Sequence, residues 1–413
     1  MDVVYPRCCG LDVHKRNVVA CLIVPGAEGQ PCKEIRTFET VTDDLLTLSD
    51  WLVGQGVTHV AMESTGAYWK PVWNLLEGSD IRLMLVNAQH IKAVPGRKTD
   101  VHDSEWIADL LRHGLLRGSF VPDRPQRELR ELTRYRTSLV RERNSEVNRL
   151  KKVLEGANIK LAAVATNIMG KSGREILAAL VEGFTDSTAL AQLAQGKLRV
   201  KIPQLERALV GRFGSHQRFL IAQQLAHIDF LDETIEQVSQ EIAERMRPFA
   251  EEIARLDTIP GIDRRGAETL VAEVGVDLSR FATADHLASW AGMVPGQDES
   301  AGKRRSGKTR KGDPWLRAFL VQAAHAAGRT KATYLGAQYR RLAARRGRKK
   351  AAVAVGHSIL VIAYHLLNRK IDYQDLGANY FDERDRERVK RRLVRRLEDL
   401  GYQVTVEPAP VAA

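Results

Sequence analysis

Cysteine is scarce in this 413-residue chain: Cys8, Cys9, Cys21 and Cys32 are the whole complement. They form no CxxC pair and have no histidine at metal-ligand spacing, which argues against a zinc module or disulfide framework and for reduced core residues. A membrane-spanning run is missing as well. The best candidate, "AAVAVGHSILVIAYHLL" from Ala351 to Leu367, is short and carries His357, Ser358, Tyr364 and His365, so it reads as a buried helix. The amino terminus has no charged segment followed by an apolar one, which leads us to expect a cytoplasmic protein with no membrane partner. Acidic residues are in deficit, 51 against 63 Lys and Arg, for a net charge of +12. Such a chain attracts polyanions, and nucleic acid is the first partner to test. Internal repeats and extended low-complexity segments are also absent. With 44% apolar and 28% charged residues most of the chain should fold, and its length excludes a single small domain.

The first third alternates short apolar runs with helical patterns, the signature of an α/β domain. "CCGLDVHKRNVVACLIVP" reads as two strands around a tight turn at His14 to Asn17. Further strands are expected over Val57 to Met62 and Ile81 to Asn87, and helices over Asp43 to Leu52, Lys70 to Leu76 and Ser104 to Leu116. After a Pro/Arg-rich turn, Val121 to Gln126, long helices take over. Ile221, Leu225, Ile228, Leu231, Ile235, Val238, Ile242 and Met246 step by threes and fours, as in a coiled-coil seam. Periodicity alone leaves an intramolecular hairpin and dimerisation equally open. The remainder to about Leu376 is helical with one polar loop, followed by an amphipathic helix and a short tail.

Carboxylates stand out in the first domain. Asp12 sits mid-strand between apolar neighbours, so its charge needs a partner or a metal. Glu63 ends another strand. Asp100 and Asp103, in "KTDVHDSEWIADLL", are three apart at a helix start and share a face, although capping alone would also place them there. Together these four could hold divalent ions for phosphodiester displacement. Lys98, just before that helix, could meet phosphate.

Two features follow downstream. "IPGIDRRGAETLVAEVG" resembles a helix-hairpin-helix, with Asp263 where a second glycine is usual; it either offers backbone N–H groups to a phosphate or is a purely structural turn. From Gly302 to Lys350 the chain has sixteen Lys or Arg and one acid, Asp313, a block suited to tracking a phosphate backbone. At its leading edge, Ser300 follows Asp298 and Glu299 and precedes Lys303, Arg304 and Arg305. A serine needs a base and a charge partner to act as a nucleophile, and both are at hand; filler in a polar loop is the competing reading.

The ordered set "GLDVHK", "MESTGAYW", "KTDVHD", a helical middle, "IPGI" and "WAGMVPGQDESAGKRRSGKTRKGDPWLRAFL" resembles the DEDD-type insertion-sequence recombinases numbered as family 110, from about residue 7 to about residue 370. That resemblance implies an amino-terminal domain of ribonuclease-H fold, RuvC-like, whose acids bind Mg2+; they carry over as Asp12, Glu63, Asp100 and Asp103. It implies a nucleophilic serine in a carboxy-terminal transposase domain, which falls on Ser300 between "GMVP" and "KGDPWLR". Family members often read Ser-Gly there, whereas this chain reads Ser300-Ala301-Gly302, which leaves Ser306 as second choice. Donor and target DNA, a guiding bridge RNA, and a homo-oligomer (dimer or tetramer) with a site shared between subunits are further implications.

The expected architecture is α/β plus all-α: a RuvC-like domain over residues 1–122, a coiled-coil region over 123–250, a transposase domain over 251–376 and a carboxy-terminal helix and tail over 377–413. The expected activity is a DNA transposase, with Lys98, Lys303, Arg304, Arg305, Lys308, Arg310, Lys311 and Arg317 on nucleic acid and the coiled coil joining protomers. Its rivals are a resolvase-type nuclease that uses water and a non-catalytic assembly factor.

Overall fold

Strand parity organises the amino-terminal part of the computed structural model, which describes residues 2–26, 30–64, 66–87, 103–296 and 298–407. The chain divides into two units, Met1–Asp123 and Arg124–Ala413. In the first, β1 (Cys8–Val13), β2 (Asn17–Pro25), β3 (Pro31–Glu39), β4 (His59–Glu63) and β5 (Arg82–Val86) form one sheet in the order β3-β2-β1-β4-β5. β1 pairs antiparallel with β2 and β2 with β3, while β1–β4 and β4–β5 are parallel. The β1–β2 turn closes where expected, with the His14 N–H donating to the Asn17 carbonyl at 2.9 Å.

Alternate residues of each strand point to opposite faces. Cys9, Leu11 and Val13 pack with α1 (Thr42–Gly54) and α2 (Trp69–Leu76) on one side. Cys8, Cys21, Ile23, Ala61 and Val86 pack with Ile107, Ala108, Leu110 and Leu111 of α3 (Asp103–Arg112) on the other. Gly10 lies on this second face, and a Cβ there would come within 2.3 Å of the Ser104 carbonyl oxygen and 2.4 Å of the Ala108 nitrogen. Only glycine lets α3 lie this close to β1.

β3 has no counterpart among the expected strands. It is an edge strand whose charged side chains are exposed or half-buried and whose Phe38 alone is buried, so its pattern is not that of a core strand. Cys32, on this strand, is exposed, whereas Cys8, Cys9 and Cys21 are buried as anticipated.

The second unit is built on two long helices, α4 (Arg124–Gly156) and α9 (Ser215–Arg245). The pairs Glu128–Arg245, Arg143–Asp232 and Glu146–His227 run in opposite chain directions, so the helices are antiparallel. Leu139 meets Leu231 and Ile235, and Leu150 and Leu154 share a core with Ile221 and Ile228. The seam expected to join protomers is therefore filled from within the chain. The expected turn at Val121 to Gln126 also gives way, because α4 already starts at Arg124. Pro125 fits the first helical turn, where its missing N–H would have had no intrahelical acceptor.

Between the long helices, α5 (Leu161–Val164), α6 (Lys171–Glu182), α7 (Ser187–Gln192) and α8 (Ile202–Ala208) close one end of this core. Beyond them come α10 (Ala250–Asp257), α11 (Arg264–Val274), α12 (Ala284–Trp290), the strands β6 (Asp298–Ser300) and β7 (Lys303–Ser306), α13 (Pro314–Ala327), α14 (Tyr334–Arg346) and α15 (Arg348–Arg369). α16 (Tyr380–Arg384) and α17 (Arg386–Glu398) follow. α15 contains the run that is the best membrane candidate in the sequence. It is long and apolar enough to cross a bilayer, but Ala351, Val355, Ile359, Leu360 and Leu367 are buried within the protein.

Because a Cβ at Gly10 has no room, Gly10→Ala should destabilise the first unit by about 1–3 kcal/mol through overpacking. Chemical denaturation of the full chain, followed by the fluorescence of Trp51 and Trp73 against the variant's own unfolded baseline, checks this.

Candidate functional site

Parity also gathers the acids. Asp12 follows Gly10 by two residues and Glu63 follows Ala61 by two, so both continue the face covered by α3. The parallel register pairs Gly10 with Ala61 and Leu11 with Met62, which brings Asp12 and Glu63 to neighbouring strand ends. Asp103 is the first residue of α3, immediately before the Ser104 that Gly10 approaches. Three of the four predicted acids thus converge at one end of one sheet face. Asp100 and Lys98 lie outside the described residues.

The charges in this cluster act on one another. Burial pushes the Asp12 carboxyl above its ordinary pKa, and Asp103 and Glu63 push it further, while His14 pulls it back. The His14 imidazole is 3.0 Å from the Asp12 carboxylate. Among the described residues no three His, Cys, Asp or Glu are gathered closely enough to form a ready-made ion site. The donor chemistry is nonetheless that of a hard cation, since these carboxylates supply only oxygen and like charges raise the cost of leaving the cluster uncompensated.

The expected polar loop is a β-hairpin arm. β6 and β7 are antiparallel, with Ser300 opposite Lys303, so the turn is the two residues Ala301 and Gly302. Both have positive φ, 51° and 72°, the combination that a type I′ hairpin turn requires. Ala301, the residue that separates Ser300 from its glycine, is therefore the first turn residue, held in a conformation that costs a non-glycine residue about 1 kcal/mol. The hairpin pairing continues through Gly296 with Lys308 and Pro295 with Thr309. At the neck, Gly292 and Gly312 meet backbone to backbone: a Cβ on Gly312 would come within 2.3 Å of the Gly292 nitrogen. The two motifs that bracket the serine are thus the two sides of one neck. Ser306 lies on the return strand, where its hydroxyl oxygen accepts a hydrogen bond from the Lys308 N–H at 3.1 Å.

The root of the arm is held by buried charge. Glu273, with no exposed surface, accepts hydrogen bonds from Arg134 of α4 at 2.8 and 2.7 Å, and Arg130 lies 3.6 Å away. Arg134 also bonds Asp313 at 3.0 Å, and Asp313 caps α13 by accepting from the Trp315 and Leu316 N–H groups. Arg130 donates to the carbonyls of Ala272 and Glu273, tying off the end of α11. One helix, α4, thereby positions both the end of α11 and the residue next to the neck glycine. A second buried pair, Arg136–Glu268 at 2.7 Å, repeats the link nearer the start of α11. The sequence expectations do not include this network; its signal is a pair of acids, Glu268 and Glu273, among the apolar residues of the helix from Gly266 onward, opposite arginines spaced by four and six.

Of the predicted phosphate contacts, Lys303, Lys308, Arg310 and Lys311 are exposed along the arm and Arg317 is partly buried on α13. Arg304 and Arg305 are in β7. The block also includes an exposed corner between α14 and α15, with Arg345, Arg346, Arg348, Lys349 and Lys350. The helix-hairpin-helix, in contrast, shows capping and close packing. Asp263 caps α11 by accepting from the Gly266 N–H at 2.8 Å, and Gly261 abuts α13, where a Cβ would fall 2.4 Å from the Ala323 carbonyl oxygen. Gly261 of its turn faces protein, while Asp263 is exposed and its carboxylate occupies the helix end that a phosphate would use.

Family comparisons match both functional regions. A transposase profile for DEDD proteins of the IS110 group matches residues 9–159, and one described as transposase IS116/IS110/IS902 family matches residues 253–340. A probable family 20 transposase of Pseudomonas aeruginosa is 29% identical over 322 residues, 76% of this chain and 85% of that protein. The transposase for insertion sequence element IS1111A of Coxiella burnetii is 26% identical over 324 residues, 76% of this chain and 79% of that protein.

If the Glu273–Arg134 pair holds the root of the arm, Arg134→Leu should cost about 3–5 kcal/mol by leaving a buried carboxylate under-compensated. The Arg134→Leu/Glu273→Leu double variant should cost less than the sum of the single losses, measured as a denaturation double-mutant cycle.

Proposed function

The chain belongs to the IS116/IS110/IS902 transposase family, and on that premise we propose that it cuts and rejoins DNA during movement of an insertion element by phosphodiester transesterification at Ser300. The observation that carries the reading is the convergence of Asp12, Glu63 and Asp103 on one sheet face within the segment matched to DEDD transposases. The strand order β3-β2-β1-β4-β5 supports a RuvC-like, ribonuclease-H architecture for residues 1–122. The second unit would then comprise the helical region 123–250, the transposase domain 251–376 and the terminal helix and tail 377–413.

Asp12, Glu63, Asp103 and Asp100 would hold Mg2+. When bound, the ion would supply charge that polarises the phosphate and stabilises the leaving oxygen. His14 would orient Asp12. In the cleavage step the Ser300 Oγ attacks phosphorus, an Oγ–P bond forms and the P–O bond to one DNA fragment breaks. The proton leaves Oγ through a neighbouring carboxylate, Asp298 or Glu299, and ends on the departing oxygen. Rejoining reverses the step with a new DNA hydroxyl. Lys303, Arg304 and Arg305 would neutralise the transferred phosphate, and Lys98, Lys308, Arg310, Lys311 and Arg317 would hold backbone.

Placing Ser300 next to a two-residue turn, with Ser306 engaged further down the return strand, favours Ser300 as nucleophile. A bridge RNA would choose the DNA partners, and several protomers would assemble on them. Since the α4–α9 seam is already filled, that assembly would use other surfaces.

Trapping of a covalent protein–DNA adduct on a nicked substrate tests the reading. Ser300→Ala should abolish the adduct and reduce strand exchange by on the order of 10³-fold or more, while Ser306→Ala retains both. Asp12→Ala should remove cleavage with DNA binding intact. Cleavage without any adduct in the unmodified protein would point to water as the nucleophile and overturn the serine assignment.

A further inference from the structure

α17 lies beyond both segments matched to transposases, and five of its seven cations share one face. Six arginines and Lys390 stand against Glu387 and Glu398 in thirteen residues, and all seven cations are exposed. At helical spacing Arg388, Arg391, Arg392, Arg395 and Arg396 fall on one side, while Val389, Leu393, Val394 and Leu397 share the other with Arg386 and Lys390. The apolar side stays partly open: Val389, Leu393 and Leu397 line a groove with Val404 and Val406 of the tail, yet no residue of the helix is fully buried. The arginine side has no ionic partner, because among the described residues no carboxylate lies within ion-pair distance of these five side chains.

The helix is attached rather than trailing. In the preceding α16, Phe381 stacks on Tyr334 of α14 with ring centroids 5.1 Å apart, and Asp382 accepts from Arg341 at 3.0 Å. Arg341 also lies over the Phe381 ring. α17 is thus carried on the helix that ends at the exposed basic corner of α14 and α15.

From this sorting we infer that α17 is a second, sequence-independent site for duplex DNA, separate from the serine arm, that grips phosphates through its arginine face. Guanidinium forks bind phosphate oxygens in pairs, which suits a surface made almost entirely of arginine. From Arg388 to Arg396 the helix rises about 12 Å. That span equals the width of the major groove of B-form DNA, about 12 Å, so opposite ends of the arc can reach phosphates on both rims. The deep, narrow major groove of A-form RNA offers no such seat. The site holds DNA and takes no part in bond breaking.

Fluorescence anisotropy of the full chain with a labelled DNA duplex, titrated across KCl concentrations without divalent ions, tests the inference. Two variants are compared: Arg391, Arg392, Arg395 and Arg396 replaced together by Gln, or together by Lys. The Gln variant should bind with a log–log salt slope shallower by roughly 3 to 4, about 0.9 for each phosphate that is no longer neutralised, while the Lys variant keeps most of the slope. Matching thermal unfolding curves establish that both variants are folded. An unchanged slope in the Gln variant overturns the proposal. So does a loss confined to structured RNA or to phosphatidylserine vesicles with duplex binding intact. Because no bond is cut in this measurement, the Ser300 assignment can fail while the α17 site stands, and the reverse.

Discussion

A carboxylate with no exposed surface sets the geometry of the carboxy-terminal unit. Burying the Glu273 charge is tolerable only with cations beside it, and Arg130 and Arg134 are delivered together because they are one helical turn apart on α4. Arg134 then has capacity left for Asp313, which stands next to the neck glycine and caps α13. The result is a chain of charge from α4 through α11 to the root of the serine arm. An apolar contact could have packed these elements. A bidentate ion pair also restricts their rotation, because both guanidinium and carboxylate are planar and directional.

The amino-terminal unit solves a similar problem by steric means. Gly10 lets α3 descend onto β1, and two residues further on the same strand face carries Asp12 toward the start of that helix. Glu63 arrives on the neighbouring strand because β1 and β4 run parallel and in register. Close packing and period-two alternation together decide that three acids from distant parts of the chain share one face. Their mutual repulsion, felt at Asp12, is the electrostatic consequence.

Much of this is legible in the sequence where the side-chain pattern and the backbone requirement coincide. Asp12 can be singled out because a charge between Leu11 and Val13 breaks an apolar strand, and Glu63 because the apolar run stops there. β3 escapes notice because an edge strand exposes most of its surface, so "CKEIRTFE" carries no core pattern. Ala301 reads as a disturbance of the serine motif, but it is the first turn residue of the arm, a role that emerges only from the pairing of Ser300 with Lys303. Asp263 reads as an obstacle to phosphate; the structure adds that its carboxylate is spent on capping α11.

The apolar ladder from Ile221 to Met246 shows where each kind of information ends. Its spacing alone determined that a long helix would bury one stripe, since helical periodicity is a local property of the chain. It could not determine the partner, because an apolar stripe is covered equally well by the same chain or by another. Tertiary structure decided for α4, with Glu128, Arg143 and Glu146 arranged in reverse order along Arg245, Asp232 and His227. The same division holds for the chemistry. Composition and order determined a basic chain and pointed to four acids, Asp12, Glu63, Asp100 and Asp103, and to a serine in a polar stretch. Only the sheet register, the glycine neck and the buried Glu273 decided how the described acids meet and how the arm that bears Ser300 is held, because these depend on residues far apart in sequence.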